Sequence, residues 1–123
     1  MTPKSLLAIA ALMLFTGCAT TDDWTRTDTL LEVAFQVSNA ADAYTTSRIQ
    51  HRADIHEGNA ITARFIGEQP SDGDTAVYFA TLGISHWLIS RSLPKKWRPW
   101  YQAPTAAYSA WLVTSNCQLG LCK

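Results

Sequence analysis

The chain opens with an unbroken apolar run from Leu6 to Phe15, halts at Thr16-Gly17-Cys18 and turns polar at once. From about Asp28 to Arg52 the apolar and polar positions follow a helical period. Leu30, Leu31, Val33, Ala34, Val37, Ala41 and Tyr44 fall on one side; Glu32, Gln36, Asn39, Thr46 and Gln50 fall on the other. This predicts an amphipathic helix, capped by Thr27 or Asp28, that lays its apolar side on other helices or on a membrane surface. Gly58, Gly67, Pro70 and Gly73 break the period, with room for a short helical turn over Ala60 to Ile66. A second long helix, capped by Ser71 or Asp72, is predicted from about Asp74 to Arg91, its apolar residues facing all directions. A third is predicted from Pro104 to Ser115, because Pro99 and Pro104 delay or kink an earlier start. The expected fold class is therefore all-α: a small three-helix domain over 28–123, in which a long amphipathic helix accompanies an apolar helical hairpin. It follows an N-terminal signal helix and a polar tether over 18–27.

Composition sharpens this picture at the N-terminus. The chain has 123 residues, enough for one small domain, with 47% hydrophobic and only 16% charged residues. Its formal net charge of zero gives no electrostatic footprint for general nucleic-acid binding. Lys4 is the sole charge before Asp22, and the apolar run after it has the size of a signal h-region, too short to span a hydrocarbon core. A basic residue, an apolar core, small residues and then Cys18 resemble a bacterial lipoprotein signal, with Phe15-Thr16-Gly17-Cys18 as the lipobox and Phe15 standing where leucine is usual. The resemblance implies removal of 1–17, diacylglycerol on the Cys18 thiol and a fatty acid such as palmitate on the new amine. Ala19 after the cysteine implies export to the outer membrane of a Gram-negative bacterium, facing the periplasm. Trp24, in the tether, is suited to a lipid interface. The alternative is an inner-membrane protein with helices two and three inserted as a hairpin. Arg91, Lys95, Lys96 and Arg98 would then lie in a cytoplasmic loop, with the lipidated end and Cys117/Cys122 outside. In an oxidising compartment Cys117 and Cys122 are expected to form a disulfide; a metal pair lacks further clustered ligands.

Candidate chemistry is sparse. Asp42 lies at the edge of the first helix's apolar side, Glu57-Gly58-Asn59 follows that helix, His86 sits within the apolar second helix and Asn116 ends the third. Brought together, they read either as a polar network that fixes helix register or as acid–base or metal chemistry using Asp42, Glu57, His51, His56 and His86. His51 and His56 are separated by about 140° around a helix, which weakens a helical metal site. No serine elbow, phosphate-cradling loop or zincin helix is present. The segments "DWTRTDTLLE", "DAYTT", "EGNAI" and "GEQPSDGDTAVYFA", then His86 and "LPKKWR", resemble a group of small helical lipoproteins and membrane proteins of bacteria and phages. That group carries D-x-x-T-T, then E-x-N-P, then a helix with one histidine; Ala60 stands here in place of the proline. The resemblance implies that Asp42, Thr45, Glu57, Asn59 and His86 work together, and it brings no activity. Lys95, Lys96, Trp97, Arg98, Trp100 and Tyr101 interleave basic and aromatic groups as a lipid headgroup surface requires. The expected function is that of a lipid-anchored envelope protein with a structural or interaction role rather than an enzyme. The alternatives are an envelope enzyme or metal binder built on Asp42, Glu57 and His86, and phage-related interference through lysis or receptor blocking. The expected partners are membrane lipid, through the acyl anchor, and an envelope protein, with no cofactor and no nucleic acid.

Overall fold

The computed structural model describes residues 22–123; the signal segment and Cys18 lie outside them. Among these residues the protein is all-α. Helix α1 spans Arg26–Ser47, a 3-10 turn follows at Ile49–His51, and α2 spans Ala60–Ile66, α3 Asp72–Ser92 and α4 Arg98–Gln118. The three long helices form the predicted domain, with α2 as a small addition. α1 packs most extensively on α4 and less on α3, while α3 and α4 meet least.

Local chemistry explains the boundaries. α1 begins at Thr25, whose hydroxyl accepts from the Asp28 N–H while the Asp28 carboxylate accepts from the Thr25 N–H, a reciprocal capping box. Before the helix, Asp22 and Asp23 are already held by the domain, through the Lys95 N–H and the Arg98 guanidinium. Ser71 caps α3, and Asp72, Asp74 and Arg91 complement its dipole. α4 starts earlier than the prolines implied. Pro99 occupies the first turn, where no backbone N–H is needed, and Pro104 lies within the helix. Next to Pro104, the Thr105 hydroxyl donates to the Tyr101 carbonyl at 2.7 Å and offers a side-chain donor where the ladder is weakened. α4 ends in a Schellman motif: Gly120 takes φ 80°, its N–H reaches the Cys117 carbonyl, and the Leu121 N–H reaches that of Asn116. A Cys117–Cys122 disulfide closes this turn over the buried Leu121.

The polarity of the bundle is the reverse of the expected one. Its fully buried hydrophobic residues are only Phe35, Ile49, Phe79, Ala106 and Leu121, against thirteen buried polar or charged residues among those described. Leu30, Val33, Val37 and Tyr44, the side of α1 expected to lie on the other helices, all point outward and are more than half exposed. Glu32, Asn39 and Thr46, from the opposite side, are buried. On α3 the inward stripe is Thr75, Phe79, Gly83, His86 and Ser90, and on α4 it is Arg98, Gln102, Ala106 and Ser109. The physical reason is complementarity: each long helix carries one polar stripe, and polar groups that hydrogen-bond one another satisfy burial, whereas an apolar partner would strand them.

Candidate functional site

Two polar networks occupy the interior. The first is centred on Glu32. His86 Nδ1 lies 3.0 Å from Glu32 Oε2. Ser90 Oγ and Gln102 Nε2 each donate to the same oxygen at 3.1 Å, and Gln36 Nε2 donates to Oε1 at 2.8 Å. Phe35 and Tyr101 stack on the imidazole, Phe35 with ring centres 3.5 Å apart. Burial by itself raises the Glu32 carboxyl, but hydrogen bonds from His86, Gln36 and Gln102 outweigh it and hold the group down at about 2. Burial and the Glu32 charge push the Tyr101 phenol up to about 12. α1 and α3 approach closely at Gly83: its carbonyl accepts from Gln36 Nε2 at 2.9 Å, and a Cβ there would meet Gln36 Oε1 at 2.7 Å.

On its far side His86 Nε2 meets Thr105 Oγ1 at 2.8 Å. Carboxylate, imidazole and hydroxyl thus align in the order of a hydrolytic triad. The geometry does not support nucleophilic chemistry. His86 is 2% exposed, and the Thr105 hydroxyl is directed at the Tyr101 carbonyl. Two surface recesses, of about 590 and 340 Å³, are lined by none of Glu32, His86 and Thr105: one lies under the tail beside Arg48, His51 and Lys123, the other in the α1–α3 groove over Gln36 and Gly83.

The second network lies toward the tail end. Asn116 Nδ2 donates to Asp42 Oδ1 and to Thr45 Oγ1, both at 2.9 Å. Glu57 Oε1 accepts from the Asn59 N–H at 2.7 Å, and the Asn59 side chain caps α2. The Thr46 hydroxyl reaches Glu57 Oε2 at 3.5 Å. Burial, then repulsion from Glu57, pushes Asp42 up to about 7, against hydrogen bonds from Thr46 and Asn116. Burial likewise raises Glu57.

Asp42, Thr45, Glu57, Asn59 and Asn116 thus come together as expected, but His86 does not join them. Its partner Glu32 is ten residues from Asp42 on α1, about 15 Å along the axis. The proposed Asp42/Glu57/His86 centre is therefore not assembled. His51 and His56 are exposed on the loop, the latter beside Gln69 Nε2 at 3.2 Å. Among the described residues no group of three or more His, Cys, Asp or Glu side chains is placed to hold a metal ion.

Arg98 departs from the headgroup role expected of it. It is 1% exposed and ties the α3–α4 turn to the start of α1. Its guanidinium donates to the Asp23 and Asp22 carbonyls at 2.8 and 3.1 Å and to the Leu93 carbonyl at 3.0 Å, and it faces Asp28 at 3.4 Å. Burial alone would raise Asp28; the Thr25 N–H and hydroxyl together with Arg98 hold it below the usual range. Trp24 packs against Arg91 and Arg98, 5.0 and 5.3 Å from its ring, rather than standing free. Asp22, Asp23 and Trp24 and the α3–α4 turn therefore share one end of the bundle, while Cys117 and Cys122 sit at the other. A hairpin with its turn across a membrane from Asp22 and Asp23 does not fit this arrangement. No helix among the described residues is long and apolar enough to cross a membrane.

Gln102 and Thr105 carried no expectation from the sequence, Asp28 only that of a helix cap, and Glu32 only a place on the polar side of the first helix. Their signal was available as polar residues recurring every three or four positions on each long helix. No family model, curated protein or solved structure matches the chain.

Proposed function

We propose that this is a lipid-anchored protein of a Gram-negative cell envelope with an interaction role rather than a catalytic one, held to the outer membrane by acylated Cys18. The observation that carries this reading is the inverted polarity. Leu30, Val33, Val37, Ile84, Trp87, Tyr108 and Trp111 are outward-facing and exposed, while Asp28, Glu32, Asp42, His86 and Arg98 are closed inside. Exposed apolar area on this scale marks a surface that works against another apolar surface. A catalytic protein would instead open its histidine and carboxylates to a cleft. The lipobox supplies the place where such a surface is useful. Fractionation tests the anchor: the native chain stays with membranes after a carbonate wash, and Cys18→Ser is released. Retention of Cys18→Ser contradicts the acyl anchor.

A further inference from the structure

An anchored domain meets its bilayer with one of its ends or with its sides. We infer that this one rests its turn end on the headgroups of a bilayer rich in anionic phospholipid, through Lys95, Lys96, Trp97 and Trp100; the inference rests on the membrane anchoring proposed above. The chain start is fastened to this end. Arg98 holds the Asp22 and Asp23 carbonyls, and the Lys95 N–H donates to the Asp22 carboxylate at 2.8 Å. Cys18 is four residues before Asp22, so its acyl chains begin within ~14 Å of this end. The same end carries exposed Arg26, Arg91, Lys95 and Lys96 against exposed Asp22 and Asp23, while buried Arg98 is matched by Asp28. Trp97 and Trp100 are 54% and 76% exposed beside these charges. Ammonium groups meet lipid phosphate and indoles sit just beneath it, which is the chemistry of a membrane interface. Each basic group near an anionic surface strengthens binding roughly five-fold. The tail end offers no such combination: its exposed Arg52, Arg64 and Lys123 are outnumbered by exposed Asp54, Glu68, Asp72 and Asp74, and no tryptophan stands beside them.

The test uses the full lipidated chain reconstituted in phosphatidylethanolamine vesicles with and without phosphatidylglycerol, with brominated acyl chains to quench nearby tryptophans. In phosphatidylglycerol vesicles, Trp97→Phe/Trp100→Phe removes most of the quenching, and Lys95→Glu/Lys96→Glu reduces it without changing the fold. Omitting phosphatidylglycerol reduces it likewise. Quenching that survives both double variants, that ignores phosphatidylglycerol, or that disappears with Trp87→Phe/Trp111→Phe instead, overturns the inference. The last outcome would place the sides against the bilayer. The anchor is read separately by sedimentation. Cys18→Ser that stays bound like the native chain refutes the acyl anchor, while the quenching pattern still decides which end docks. A native chain that does not sediment with vesicles overturns both.

Discussion

Two carboxylates on the same helix, Glu32 and Asp42, are buried to a similar extent and behave in opposite ways. Glu32 receives donors from His86, Gln36, Ser90 and Gln102 and is held at about 2. Asp42 receives Asn116, faces a second carboxylate at Glu57 and is pushed to about 7. Burial therefore does not decide the charge of a group inside this bundle; the supply of donors does. The first network is a lock between all three long helices. The second is a place where the fold tolerates an unmatched carboxylate at neutral pH.

The contrast is broken most severely at its locked half. His86→Ala leaves Glu32 buried without its main partner and should cost about 3–5 kcal/mol, read by chemical denaturation. Joint replacement, Glu32→Leu with His86→Leu, should recover part of that loss, because no charge is left stranded. Gly83→Ala comes next, at about 1–3 kcal/mol, since its methyl group displaces the Gln36 amide from the Glu32 carboxylate.

At the unmatched half the effect depends on pH and has the opposite sign. The folded Asp42 binds its proton more tightly than the unfolded one, so its contribution to stability falls as pH rises from about 4 through about 7. Glu32 is depressed on folding, so its contribution is full above its unfolded value of 4.5 and is lost as pH falls from there toward about 2. Asp42→Asn should therefore raise the melting temperature at pH 8 and change it little at pH 4. Equal effects at both pH values would remove the distinction between the networks. The smallest effect is expected on the outer face. Val37→Lys should alter the stability of the released domain by less than about 0.5 kcal/mol while weakening its contact with envelope surfaces, measured by co-sedimentation.

The helices and, apart from the start of α4, their approximate limits were legible, because period and capping residues are local properties. The direction of the faces was not. A helical period in α1 separates Leu30, Val33 and Val37 from Glu32, Gln36 and Asn39 equally well whichever side points inward. The choice belongs to the partner helices. Those partners were readable in principle: His86 and Ser90 interrupt an otherwise apolar α3, and Gln102 falls four residues after Arg98 on α4. Pairing them with Glu32 required knowing that Pro99 and Pro104 do not stop α4. Asp42, Thr45, Glu57 and Asn59 were grouped by the D-x-x-T-T and E-x-N resemblance, which also put His86 with them; His86 instead lies on Glu32. Arg98 was misread because its neighbours Lys95 and Lys96 are exposed, and a charge run alone does not reveal which member turns inward.

The central claim is that the polar stripes face in and the apolar faces face out. Carbene footprinting with a diazirine probe that partitions onto apolar surface, read by mass spectrometry on the protein taken from its native membranes, tests this most directly. With envelope contacts removed by mild detergent exchange, label should appear on Leu30, Val37, Ile84 and Trp111 and stay low on Phe35, Ile49 and Phe79. Label concentrated on Phe35 and Phe79, with Val37 and Ile84 protected, would contradict the inverted bundle.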